Sequence, residues 1–195
     1  MKISCIILAA GSSTRMSNYK QLLKFRGKSF IKYLLEKIAP LDFENIFCVT
    51  GLLDIELQDE LKDYDLQFIH NANHLSGQTS SLKQAIARAQ GTSADAAMIV
   101  LTDQPLIRSD HYARLMQMCR SNTGSIIATQ YSDTFGVPAM FPRLYFQNIL
   151  DLDDAASAKS ILKQNQNNLL LIECEDASRD IDTDDDYKNL ITQYE

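Results

Sequence analysis

A chain of 195 residues, 45% hydrophobic and 23% charged, is long enough for one proper core and has the balance of an ordinary globular protein. Its formal net charge of -6 lacks the basic excess that a nucleic-acid surface needs, whereas a nucleotide needs only a few local cations. The four cysteines, Cys5, Cys48, Cys119 and Cys174, are scattered with no Cys-x-x-Cys pair, which points to free thiols in a reducing compartment.

The apolar run Ile3–Ala10 predicts a first strand. It stops at Gly11, too soon for a signal peptide, and no other apolar stretch approaches membrane-spanning length, so a cytoplasmic protein is expected. Phe30, Ile31, Leu34, Leu35 and Ile38 recur at helical spacing, and Pro40 ends that helix. Asn45–Thr50 reads as a strand, Ile55–Lys62 as a helix and Leu66–His70 as a strand. Ser80 or Ser81 is the expected cap of a helix carrying Leu82, Ala85, Ile86 and Ala89 and stopped by Gly91.

Ala96–Leu101 is wholly apolar, as a central strand should be. Tyr112, Leu115, Met116 and Cys119 mark another helix. Ser125–Thr129 and Val137–Phe141 read as strands around a polar loop, Gln130–Gly136. Helices are expected over Pro142–Leu150, Ala155–Gln164 and Asp184–Gln193, with a strand at Leu169–Cys174. This alternation predicts one α/β domain over residues 1–195, its central sheet mostly parallel with helices on both faces. Ligands of such sheets sit at the carboxyl ends of the strands, where Gly11, Asn71 and Asp103 fall.

Three segments carry chemistry. After the first strand come Gly11, Ser12, Ser13 and Thr14, whose small side chains leave backbone N–H groups free to cradle an anion, with Arg15 and Lys20 adding charge. A polyphosphate fits. The P-loop is excluded because position 16 is Met, and the dinucleotide fingerprint because only one of its three glycines is present. Asp103, directly after the central strand, is placed to serve as a Mg²⁺ ligand. In Asp180–Tyr187, alternation puts Asp180 and Asp182 on one side of an extended segment, while Asp184, Asp185 and Asp186 suit the first turn of the last helix. His70 and His74 are four apart, but Asn71 and Asn73 break the helical pattern and no third ligand is near, so a zinc site is not expected.

Leu8-Ala9-Ala10-Gly11, Arg15-Met16, Lys20, Leu22-Leu23 and Gly27-Lys28 together resemble the signature of the molybdenum cofactor nucleotidyltransferases. Asn71–Leu82, Leu101–Leu106 and Asp180–Tyr187 extend the match over nearly the whole chain. Leu-Ala-Ala-Gly and Asp103-Gln104-Pro105 resemble the cytidylyltransferase branch, where the guanylyltransferase branch carries Leu-Ala-Gly-Gly and Asp-Met-Pro.

The resemblance implies a three-layer α/β/α, Rossmann-like fold of nucleotide-diphospho-sugar transferase type. It implies nucleotide binding by Leu8, Ala9, Ala10, Gly11, Ser12, Ser13, Arg15, Lys20, Gly77, Ser80 and Ser81. It implies catalytic roles for Lys20, Arg15 and Asp103, and Mg²⁺ held by Asp103 and Asp182 with Asp180 in reserve. Gly136-Val137-Pro138 keeps the family's Gly-x-Pro, whereas Ala156 and Ser157 stand where Arg and Gly are frequent, at the acceptor side. The last helix has Asp184 where the family has Pro, a weaker start.

The expected reaction is transfer of CMP from CTP to the terminal phosphate of molybdopterin, without membrane or nucleic acid. Two other acceptor or nucleotide choices stand beside it: a sugar or alditol phosphate, and GTP in place of CTP. A carrier that binds the pterin cofactor without chemistry has no need of the Arg15, Lys20, Asp103 and Asp182 set; transient delivery to a molybdoenzyme or its chaperone is a second role that the sequence leaves open.

Overall fold

In the computed structural model, which describes residues 1–11, 16–153 and 156–195, every position of the first strand, β1 (Ile3–Leu8), is buried. The alternation of the pleat explains why the run is continuously apolar. Ile3, Cys5 and Ile7 pack into one core and Ile6 and Leu8 into another on the opposite face of the sheet.

The remaining strands are β2 (Lys24–Phe25), β3 (Lys28–Ser29), β4 (Asn45–Thr50), β5 (Gln67–His70), β6 (Ala96–Leu101), β7 (Ile126–Tyr131), β8 (Thr134–Pro142) and β9 (Leu169–Glu173). The helices are α1 (Phe30–Ile38), α2 (Asp54–Glu60), α3 (Gln78–Gln90), α4 (Ser109–Ser121), α5 (Phe146–Leu150), α6 (Ala158–Gln164) and α7 (Asp184–Tyr194). Seven strands form one sheet in the order β5-β4-β1-β6-β8-β7-β9. Its pairings are parallel except for those that β8 makes with β6 and β7.

α1 shows why the layers form. Phe30, Ile31, Leu34, Leu35 and Ile38 are buried, and the Ser29 side chain accepts from the Lys32 N–H to cap the helix. Truncating a buried leucine or isoleucine of this kind to alanine costs about 2–5 kcal/mol. Apolar residues of α1, α2 and α4 fill the core on one face of the sheet, and those of α3, α5 and α6 fill the other. The fold is therefore three-layered α/β/α around a mostly parallel sheet. A third, smaller cluster joins Leu23, Phe25 and Phe30 to Ile181 and Leu190, which seats α7 against the β2–β3 hairpin. That hairpin turns on Arg26 and Gly27, both at positive φ (51° and 76°).

Four expectations change. α3 starts at Gln78 with Gly77 as its N-cap, not at Ser80 or Ser81. Most of the expected loop Gln130–Gly136 is strand, because β7 and β8 close a hairpin around Ser132, which sits at positive φ (47°), and Asp133. The expected helix Pro142–Leu150 is a single 3-10 turn, Arg143–Tyr145, followed by α5. α6 begins at Ala158, capped by Ser157, later than expected. Among the described residues no helix is long and apolar enough to cross a membrane.

Candidate active site

The chain moves from β1 to β4 on one side, then returns to place β6 on the other side of β1. Such a reversal opens a crevice at the carboxyl ends of the strands. A cleft of about 430 Å³ lies there, within the usual range for a small-molecule site. Leu8, Ala10 and Gly11 line it from β1, Leu101, Thr102 and Asp103 from β6, and Gly77 and Ser81 from the start of α3. Lys20 and Asp182 complete one end, and His74 and Leu75 also face the space.

Lys20 joins what the chain separates. Its Nζ lies 3.2 Å from Asp103 Oδ2 and also donates to Asp182 Oδ1. Burial works against the lysine charge, but the hydrogen bond to Asp182 and the charge of Asp103 outweigh it, so the ammonium is held above the ordinary lysine value. Burial raises the Asp103 carboxyl against the pull of that same ammonium. Among the described residues Asp103 Oδ1, which is buried, has no hydrogen-bond partner. A buried carboxylate oxygen with an unused lone pair, beside a second carboxylate reached by the same cation, suits a hard divalent ion, which takes one or two protein carboxylates and completes its shell with phosphates and water. Among the described residues there is no group of three or more metal-ligating side chains.

Asp180 stands apart. It lines a second cavity with Leu106, Asn189 and Gln193, while Asp182 lines the first. The segment does not keep strand alternation: it is pinned by the Ile181 N–H to Asp103 O (2.9 Å) and by Gln104 Nε2 donating to Asp180 Oδ1 (3.0 Å). Although Asp180 is exposed as a residue, loss of water around its carboxyl and the nearby charge of Asp103 push it up to about 6. The acids that follow are structural. Asp186 accepts from the N–H and hydroxyl of the Thr183 cap (2.8 and 2.7 Å). Asp184 accepts from the Ser17 hydroxyl at 2.6 Å. The last helix is thus firmly started despite lacking the family's proline.

Of the other sequence candidates, Ala9 is spent on structure. Its N–H donates to Val49 O (2.9 Å), and its carbonyl accepts from Gln21 Nε2 (2.8 Å). Ser80 Oγ is turned onto the carbonyls of Asn73 and Gly77, and it does not line the cleft. Ser12, Ser13 and Arg15 lie outside the described residues. His70 and His74 part company: His70 sits 3.8 Å from Asp54, and His74 faces the cleft.

Gln21 is an addition that spacing could not reveal. Only 3% exposed, it donates to the carbonyls of both Ala9 and Gly11 at 2.8 Å and so holds the backbone at Ala9 and Gly11 from within. Asn71 does the same for the second loop. It donates to Ser80 and Ser81 (2.8 and 2.9 Å) and accepts from the Asn73 N–H and Gln84 (2.9 and 2.7 Å). Gly77, at φ 106°, lets that loop turn directly into α3 without a side chain over the helix N-terminus.

The doubly wound sheet has the fold of a solved nucleotidyl transferase from Methanothermobacter (TM-score 0.82, 18% identity, 98% of this chain and 96% of that one). The chain belongs to the MobA-like NTP transferase domain family, whose model matches residues 5–169. It is 30% identical over 130 residues to the bifunctional protein GlmU of Francisella philomiragia, a match covering 66% of this chain but only 28% of that protein. It is 24% identical over 187 residues to the molybdenum cofactor cytidylyltransferase of Escherichia coli K12, covering 95% of this chain and 93% of that one. In three dimensions it resembles Rv0371c of Mycobacterium tuberculosis (TM-score 0.83, 23% identity, 99% of this chain and 100% of that one). Rv0371c has also been solved in complex with manganese (TM-score 0.79, 21% identity, 98% of each chain).

Proposed function

We propose that this chain is a single-domain, Mg²⁺-dependent cytidylyltransferase that transfers CMP from CTP to the terminal phosphate of molybdopterin. The products are the cytosine dinucleotide form of the cofactor and pyrophosphate. The observation that carries the reading is Lys20 bridging Asp103 and Asp182 at one end of a nucleotide-sized cleft. The near full-length match to a molybdenum cofactor cytidylyltransferase supports the choice of nucleotide and acceptor.

An oxygen of the acceptor phosphate attacks the α-phosphorus of CTP. A new P–O–P bond forms, the bond from the α-phosphorus to the bridging oxygen breaks, and pyrophosphate leaves with that electron pair. No protein nucleophile is needed, so catalysis is positioning and charge neutralisation. The backbone amides after Gly11, with Arg15, bind the β- and γ-phosphates. Lys20 stabilises charge that grows at the α-phosphate. Asp103 and Asp182 hold Mg²⁺, which when bound neutralises phosphate charge; the manganese complex of Rv0371c supports a divalent cation in this fold. Ala10, which lines the cleft, favours a pyrimidine over a purine by leaving less room beside the base than a glycine would.

The test is pyrophosphate release from CTP and from GTP with Mg²⁺, with and without molybdopterin. Release from CTP that depends on molybdopterin is expected. Clear CTP binding without release would move the acceptor to a sugar or alditol phosphate, the side on which Ala156 and Ser157 depart from the family pattern. Ala10→Gly is expected to raise the use of GTP relative to CTP; an unchanged ratio would remove Ala10 from base selection.

A further inference from the structure

We propose that His74 reads the exocyclic amino group of a cytosine base and so sets the preference for a cytidine over a uridine nucleotide. This rests on the nucleotide reading of the cleft. The ends of the cleft assign the parts of the ligand. Asp103 follows β6, Gly11 follows β1, and Gly51, on which the His74 ring packs, follows β4. β6 and β4 are the two neighbours of β1, so the acidic end and the histidine end are two strand spacings apart, about 10 Å. That is the reach of a nucleoside monophosphate from its phosphate to its base, not of a phosphate alone.

The chemistry of the ring follows from its partners. His74 Nδ1 lies 3.2 Å from the carbonyl oxygen of Asn71. A carbonyl can only accept, so Nδ1 carries a proton, and in the tautomer that this contact selects Nε2 keeps its lone pair. Among the described residues Nδ1 is the only atom of this ring with a hydrogen-bond partner. The carbonyl that fixes the tautomer is itself held, since Asn71 is fully buried and its side chain is fully hydrogen-bonded.

Packing fixes the ring's place. A Cβ on Gly51 would lie 2.8 Å from His74 Cγ and 2.9 Å from Ala10 O, so the imidazole sits tight against that glycine and beside the Ala10 backbone. Leu75, 81% exposed at the rim of the same cleft, offers an apolar cover for a base face. Where a base meets this lone pair in the cleft, the lone pair accepts from the cytosine amino group and opposes the carbonyl oxygen that uracil carries at the same position. The residue therefore favours one base and disfavours the other.

The experiment is equilibrium binding of CTP, UTP and dCTP, with Mg²⁺, to the wild type and to His74→Phe, with thermal melting as a check on the fold. The wild type should bind CTP at least about fivefold more tightly than UTP. His74→Phe should lower that ratio by about fivefold, the worth of one ordinary hydrogen bond, and leave the CTP to dCTP ratio unchanged. If His74→Phe does not fold, His74→Ala, which only removes the ring, decides in its place. A CTP to UTP ratio that survives loss of the ring overturns the inference. So does loss of the CTP to dCTP ratio instead, which would make the ring a reader of the ribose hydroxyl. A wild type that binds neither pyrimidine nucleotide would overturn the nucleotide reading of the cleft, and this inference with it.

Discussion

Lys20 touches both Asp103 and Asp182, so one side chain decides how two buried or half-buried acids share their charge. Under the proposed mechanism, Lys20→Ala and Asp103→Ala should each lower turnover about a hundredfold or more. Melting temperature measured beside steady-state kinetics separates this from a folding defect; near-normal turnover in a folded variant would take that residue out of the mechanism. A second residue is expected to set acid sensitivity. His111 is 3% exposed, its Nε2 lies 2.8 Å from the Thr129 hydroxyl, and burial first and Arg114 second push its imidazolium down to about 4. The folded pKa is below the unfolded one, so the unfolded chain binds the extra proton between about 6.5 and about 4. Stability is therefore complete above that window and falls as the pH drops through it, by up to about 3 kcal/mol for this residue. Urea unfolding at pH 7 and pH 4.5 should show a smaller loss on acidification in His111→Phe than in the wild type. Equal losses would place the acid sensitivity elsewhere.

At the scale of the element, α3 is where backbone conformation and site meet. Gly77 ends the Asn71 loop at φ 106°, which costs an L-residue about 1–2 kcal/mol, and it lines the cleft. Gly91, at the other end of the helix, has φ -72° and only ordinary contacts around an added Cβ, the nearest at 3.4 Å. Gly77→Ala should therefore lower both the melting temperature and the affinity for CTP, while Gly91→Ala changes neither by much. Matching effects of the two would mean that the loop, not φ at Gly77, governs the helix start. The same element shows a limit of sequence patterns. Ser80 and Ser81 look like caps by residue type, yet they are claimed by Asn71, and a glycine without any side chain starts the helix.

For the whole molecule, a ligand that bridges strands from both halves of the sheet should stabilise the fold by mass action. CTP with Mg²⁺ at about a hundred times its dissociation constant should add about 2.7 kcal/mol, which is roughly 5–10 °C in melting temperature for a chain of this size. Asp103→Ala should abolish the part of that shift that depends on Mg²⁺; a shift identical with and without the cation would argue against a metal shared with the triphosphate. The sequence alone determined the layers. Ile3–Leu8 and Ala96–Leu101 are apolar at every position because both faces of a central strand are covered, and that pattern is local. It also marked Gly11, Lys20 and Asp103, because each stands next to a strand end or inside a short motif. Tertiary structure alone decided the rest, for one physical reason: a contact between residues far apart in the chain leaves no periodicity to read. Lys20 meets Asp103 across 83 positions and Asp182 across 162. Gln21 reaches back to two carbonyls, and β8 enters the sheet antiparallel. Asp180 and Asp182 part into different cavities, and His74 leaves His70 to stand over the cleft, each because of what packs against it and not because of its neighbours in sequence.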